Sequence, residues 1–404
     1  MTVLRSVIPL FYKMKFRALI LAAISMLSSV FIAEAGDTLA FRNLRHGLEV
    51  NVRPSYIMPT HVLYLDHNSK GERLYFSGSA HLQYSFAFSP DSDYGRLFPG
   101  TVQGIGLGAN TFLCHKDIGS PVSLYIFQRG RIFNISEQLT FNYEWNLGLS
   151  FGWHHNTAIV SRTNAYVNVG LLADWKISRF CSLVFGPDYS HFSNGDTRYP
   201  NGGANVVGLR FGARADLNPG AGSDLGSFIR EWENDLRSKS FGERISYDIV
   251  AYGAWRADRQ PKGRDMFVIN KAFPVAGLNF NPLYRFTRHI SAGASLDLMY
   301  DSSANLYGHV VDEQSETVIS FRRPAFYEQV SAGLSLRAEL AMPVFSVNLG
   351  AGYNFLRSGY DMHPLYAMFN LKTFVSDDFF LLIGYRLSVL QYTHNLMFGI
   401  GFRI

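Results

Sequence analysis

The feature that most constrains this chain is an alternation of large apolar residues with small or polar ones, carried over segments of roughly ten residues or more from end to end. Phe141, Tyr143, Trp145, Leu147, Leu149, Phe151 and Trp153 share one parity, as do Leu82, Tyr84, Phe86 and Phe88. The last residues repeat the pattern, with Leu396, Phe398, Ile400, Phe402 and Ile404 on one side and Asn395, Gly399, Gly401 and Arg403 on the other. Successive side chains of a strand point to opposite faces, so a period of two means one apolar face and one polar face. A soluble sandwich accepts such strands. Long segments with small and polar residues on the second face fit a wall between lipid and a polar interior better.

Read by this rule, strands are predicted near 46–57, 73–89, 101–113, 121–133, 139–153, 164–175, 180–193, 204–215, 244–256, 274–286, 290–301, 327–340, 342–356, 364–374, 379–389 and 395–404. The expected fold is all-β, an antiparallel transmembrane β-barrel of about 14 to 16 strands. No repeat or linker divides it, so residues 36–404 read as one barrel domain. Short turns at Lys176–Arg179, Thr287–His289 and Ser376–Asp378 fall on one side, and longer loops at 58–72, 257–273 and 302–326 on the other. Bacterial barrels place their short turns in the periplasm and their long loops outside. Residues 216–243, with Leu225 through Arg237, break the pattern and read as a partly helical insertion on the periplasmic side.

The first 35 residues stand apart. Lys13, Lys15 and Arg17 precede the apolar run Ala18–Ile32, and Ala33-Glu34-Ala35 fits a small-x-small cleavage site, so 1–35 is read as a signal peptide and the mature chain begins at Gly36. Beyond it no apolar run reaches the roughly 18–20 residues that a transmembrane helix needs. Charged residues make up only 17% and aromatics 15%, with 36 glycines, a composition suited to an apolar exterior with aromatic girdles. Together these features point to the bacterial outer membrane. The net charge of +5 is spread along the chain, which argues against nucleic acid and fits membrane lipids. Cys114 and Cys181 match no metal spacing, and no metal or other cofactor is expected.

One hairpin carries candidate chemistry: Tyr189-Ser-His191-Phe-Ser193-Asn194-Gly195, followed by Pro200-Asn-Gly-Gly-Ala-Asn205. His191 and Ser193 are two apart on a strand, which puts their α-carbons roughly 6–7 Å apart on one face. An imidazole at that distance reaches the serine hydroxyl, a poor nucleophile until a base takes its proton. By parity, Tyr189, His191 and Ser193 share the lipid-facing side with Asn205 of the next strand. A polar trio on a lipid face is costly unless it does something there. The competing explanation is that Asn194-Gly195 is simply a hairpin turn with ordinary polar neighbours. Asp188 and Asp196 are weaker candidates for the acid, because the first has the opposite parity and the second lies in the turn. His154 and His155 are adjacent and so point to opposite faces, which makes a shared metal improbable.

The segment Tyr189–Gly212 resembles the active-site hairpin of the lipid A 3-O-deacylase (PagL) family, whose Bacteroidetes-type members are called acyloxyacyl hydrolases. Weaker similarity extends to Arg53-Pro54-Ser55-Tyr56, the stretch Pro99–Gly106, Tyr125–Gln128 and Asp301-Ser302-Ser303. The resemblance implies a carboxylic ester hydrolase acting on lipid A or lipopolysaccharide, with Ser193 as nucleophile and His191 as base. Asn194 and the Gly195 N–H are the oxyanion candidates. Two departures stand out. Shorter family members are eight-stranded barrels, and the family's glutamate is replaced here by Asn205. Outer-membrane phospholipase A has a similar His-x-Ser-Asn-Gly motif with an asparagine third member, so the alternative is a phospholipid substrate with calcium and a homodimer. A non-catalytic porin or transporter is the reading from a different class.

Overall fold

The computed structural model describes residues 44–404, apart from 90–91, 196, 198–200, 219–235, 237–238, 263–264, 311–318, 323, 360–361 and 389–391. The signal-peptide expectation (1–35) lies outside the described residues. Every strand predicted from alternation is present, but the single ring is not. β1 (Arg45–Ile57), β2 (Phe76–Ala87), β3 (Val102–Thr111), β4 (Gly119–Asn134), β5 (Leu139–Trp153), β6 (Thr163–Lys176), β7 (Cys181–Ser193) and β8 (Ala204–Asp216) close into one eight-stranded antiparallel barrel. The second barrel comprises β9 (Ile245–Lys262), β10 (Asp265–Arg285), β11 (Ile290–Asp301), β14 (Val330–Ala341), β15 (Phe345–Leu356), β16 (Leu365–Phe374), β17 (Phe379–Ser388) and β18 (Tyr392–Arg403). β12 (Tyr307–Val310) and β13 (Ile319–Arg322) form a separate two-stranded sheet in the long loop after β11.

The all-β antiparallel barrel class and the count of sixteen wall strands hold, but the strands close into two rings and not into a single barrel. The first ring closes where β8 pairs back onto β1, with Tyr56 opposite Val207, Val52 opposite Phe211 and Leu48 opposite Ala215. Alternation fixes the face a residue occupies and carries no information on which distant strand completes the ring. Residues 216–243 accordingly connect the barrels and are not an insertion into one wall; the helix expected there falls mostly outside the described residues. The loop expected at 257–273 is also corrected. β9 and β10 continue through most of it as a long hairpin, with Lys262 opposite Asp265. Once clear of the apolar wall, paired strands satisfy their own backbone groups and can extend without an apolar face.

Eight strands enclose a space just wide enough for side chains to fill, and both interiors are filled. In the first barrel Arg129 donates to Glu49 at 2.7 Å and to Glu144 at 2.6 Å, Arg210 donates to Glu144 at 2.6 Å, and Arg53 pairs with Asp188 at 3.1 Å. Pairing is what makes these charges tolerable away from bulk water. Toward the β7–β8 turn the lumen is stoppered by Phe112, Trp153, Tyr166 and Phe192, with Ile57, Leu63 and Tyr64 among the residues around them. The second barrel has its own network: Lys372 bridges Asp248 and Glu339, while Arg337 and Tyr366 both donate to Asp297.

The two barrels pack side by side. The turn between β14 and β15 sets Met342, Val344 and Phe345 against Leu44 and Phe88, with Tyr143, Trp145 and Leu147 of β5 packed on the same cluster. Gln128 of β4 donates to the Pro343 carbonyl at 3.1 Å. At the other end of this contact the β7–β8 turn meets β17 and β18, where a side chain on Gly195 would strike Tyr385.

Candidate active site on the β7–β8 hairpin

The register of β7 and β8 sets His191 directly opposite Asn205 and Phe192 opposite Ala204. Both strands alternate as their sequence predicts. Tyr189, His191, Asn205, Val207, Leu209 and Phe211 look outward, and Asp188, Ser190 and Phe192 face the interior. His191 and Ser193 thus share the outer face by strand geometry alone. Asn205 joins them through the antiparallel pairing.

These three side chains form one hydrogen-bonded chain. Ser193 Oγ is 2.9 Å from His191 Nε2, and His191 Nδ1 is 2.7 Å from Asn205 Oδ1. The Tyr189 hydroxyl also donates to Asn205 Oδ1, at 2.6 Å, while Asn205 Nδ2 donates to Thr60 Oγ1 at 3.2 Å. Because the amide nitrogen is engaged by Thr60, the amide oxygen faces the ring and Nδ1 carries the proton. The Nε2 lone pair is left to accept from Ser193.

The turn is shaped for this arrangement. Gly195 and Gly203 have φ of +64° and +62°, a region that disfavours any residue with a Cβ. A Cβ on Gly203 would lie 2.8 Å from the Phe192 carbonyl oxygen and 3.5 Å from His191 Cε1. The Gly203 carbonyl is held by the buried Tyr64 hydroxyl at 2.6 Å. Asn194 is buried, and its backbone N–H donates to Asn201 Oδ1 at 3.0 Å, so that N–H is committed to the turn. Nearby His61 is held below its ordinary pKa, first by burial and then by His67.

Asp188 points into the lumen, where it pairs with Arg53 and sits 3.6 Å from Arg210, away from His191. Asp196 lies outside the described residues. His154 and His155 each set Nδ1 against a backbone carbonyl, of Lys116 and Val160 respectively. Both cysteines are free thiols; Cys114 is buried and donates to Asp117 at 3.0 Å. Sequence reasoning missed Thr60, Tyr64 and Gly203. Tyr189 could have been assigned a role, since it precedes His191 by two on the same face. Thr60 left no local trace, because it is 145 residues from Asn205 along the chain.

Residues 245–404, the whole second barrel, match the family described as acyloxyacyl hydrolase, C-terminal domain. The match spans the second ring, and the ring with the hairpin lies before it in the chain. The phospholipase likeness rests on the hairpin motif alone. No curated protein matches the chain. Among solved structures, CdiB from Acinetobacter baumannii aligns at 10% identity and TM-score 0.18, over 89% of this chain and 60% of that one. The siderophore receptor PirA from Pseudomonas aeruginosa aligns at 9% identity and TM-score 0.24, over 89% and 80%. The Acinetobacter baumannii outer membrane protein Omp33 aligns at 8% identity and TM-score 0.15, over 90% and 99%. Overlaps this loose say nothing about activity.

Proposed function

We propose that this chain, whose second barrel matches the acyloxyacyl hydrolase C-terminal domain family, is an outer-membrane serine esterase that removes an ester-linked acyl chain from lipid A. The observation that carries this reading is the continuous Ser193–His191–Asn205 hydrogen-bond chain on the outward face, at the turn end of the β7–β8 hairpin. The orientation expected from the sequence puts that end at the outer leaflet, where an ester of lipid A meets it without leaving the membrane.

Asn205 and Tyr189 hold the imidazole so that Nε2 faces the serine. His191 takes the proton as Ser193 Oγ attacks the ester carbonyl, and the Gly195 N–H is the donor assigned in this reading to the developing oxyanion. The imidazolium then protonates the leaving alcohol, which departs and leaves an acyl-serine. Water, deprotonated by the same Nε2, releases the fatty acid and restores the enzyme. An amide in the third position orients the ring as a carboxylate does, although it stabilises the imidazolium less.

Asn205 also favours a second reading, a calcium-dependent phospholipase acting as a homodimer. One assay separates them: purified, folded protein is given lipid A or phospholipid in detergent micelles, and released fatty acid is measured by mass spectrometry. Release from lipid A without calcium, lost in Ser193→Ala, supports the proposal. Release from phospholipid alone, dependent on calcium, moves the assignment to the phospholipase. Full activity of Ser193→Ala on both substrates ends the esterase reading, and ion conduction in bilayers would then favour a pore.

A further inference from the structure

Ser193 lies beside the seam between the two barrels, and the outward residues of β5 and β6 that line the seam there are apolar. On β6, Ala165 lies opposite Ser193 and Val167 opposite His191; on β5, Leu149 and Leu147 lie beyond them. Ala165 and Val167 are half-buried, whereas Val169 and Leu171, further along the same face of β6, are 49% and 45% exposed. Every outward residue of β5 from Leu139 to Phe151 is half-buried too. The same holds along β17 for Phe379, Leu381, Ile383, Tyr385 and Leu387, while Leu334 and Leu336 on another strand of that barrel are 57% and 74% exposed. The covered faces therefore run along the contact between the barrels and reach the strand beside the triad.

The seam has a defined mouth and a defined end. At the mouth, a Cβ on Gly195 would be 2.5 Å from the Tyr385 hydroxyl and 3.3 Å from Leu396 Cβ, so this cross-strand pair of the second barrel abuts the turn that follows the nucleophile. At the far end Met342, Val344 and Phe345 pack on Tyr143, Trp145 and Leu147 and close it. From Leu149 to Tyr143 the floor runs roughly 20 Å along the strand, about the extended length of a long saturated acyl chain.

We infer that this seam is the acyl-chain channel of the Ser193 site, and that the second barrel supplies its outer wall through Tyr385 and Leu396. The inference rests on the esterase reading, and it assigns the matched C-terminal domain a part in selecting the acyl chain. The occupant is a long saturated chain, because the outward residues from Leu149 to Tyr143 that form the floor are apolar and the reactive ester carbonyl would sit at the mouth. Neither barrel forms the channel by itself.

The test uses the full chain folded in detergent micelles, with folding checked by heat-modifiable gel mobility. Turnover of butyryl and palmitoyl p-nitrophenyl esters is compared for the wild type, Leu396→Trp and Leu396→Ala. The indole should narrow the mouth, lowering kcat/KM for the palmitoyl ester by about tenfold or more while the butyryl ester stays within about twofold. Leu396→Ala should keep or raise the palmitoyl preference. An unchanged ratio in folded Leu396→Trp overturns the channel. A readout independent of turnover uses Ser193→Ala and a palmitoyl ester bearing a photoreactive group at the chain end. Labelling of the Met342–Phe345 turn supports the channel, and labelling confined to the open belt around Leu334 and Leu336 overturns it. If the wild type cleaves neither ester yet the turn is labelled, the esterase reading fails and the lipid channel stands.

Discussion

The seventh and eighth strands of each ring can be set side by side. In the second barrel, β17 and β18 present Leu381, Ile383 and Tyr385 outward against Leu396, Phe398 and Ile400. In the first, β7 and β8 begin in the same manner, with Leu183 and Phe185 facing outward beside Phe211, and then end in Tyr189, His191, Ser193 and Asn205. Both rings have eight strands and both fill their lumens with paired charges. The scaffold is common to the two, and the candidate chemistry lies in a few outward positions at one hairpin end. Function here is grafted onto the fold and does not follow from it.

The comparison breaks most directly at the nucleophile. Ser193→Ala and His191→Ala should each lower kcat/KM by about a thousandfold or more, about 4 kcal/mol, and the double variant should be little worse because the pair acts as one unit. Ile400→Ala, on the eighth strand of the second barrel and 49% exposed, should leave turnover within about twofold. Equal losses from both would show that the two hairpins do not differ as described.

A second test concerns what the rings share. Glu144 is buried and accepts from both Arg129 and Arg210, so Glu144→Ala leaves two buried guanidinium groups short of a partner and should destabilise the first barrel by about 3–5 kcal/mol. Glu339, which accepts from Lys372 and Arg403, should show a loss of the same order in the second. Urea midpoints in micelles measure both. A shift in one ring only would mean that the lumens are not equivalent supports.

Finer effects sharpen the picture of the hairpin. Asn205→Ala should cost about a hundredfold, near 2.7 kcal/mol, and leave measurable turnover, because the base and nucleophile remain. Asn205→Asp should retain or raise activity, since a carboxylate accepts from the same Nδ1–H and stabilises the imidazolium. A dead Asn205→Asp with a normal urea midpoint would refute the orienting role. The smallest effect belongs to Thr60→Ala. It removes one hydrogen bond to the Asn205 amide, so it should lower kcat severalfold, about 1 kcal/mol, with barrel stability unchanged.

All the wall strands were legible in the chain, to within a few residues at most boundaries, because a half-buried strand records its faces in its own alternation. The orientation of His191, Ser193 and Asn205 was legible for the same reason: parity is a local property. The extended β9–β10 hairpin was not, since its outer part needs no apolar face to pair. The contribution of Thr60, brought to Asn205 from the loop after β1, was equally invisible, as was that of Tyr64.

What the sequence determined by itself was therefore local: which segments are strands, which side of each is apolar, and that a serine, a histidine and an asparagine share one outward face. Tertiary structure decided the rest. Whether β8 pairs with β1 or continues into β9 depends on accumulated twist and tilt around the ring, which no single strand encodes. Two closed rings then have outer faces that can meet. Only that meeting places Tyr385 and Leu396 beside Gly195, nearly two hundred residues away in the chain.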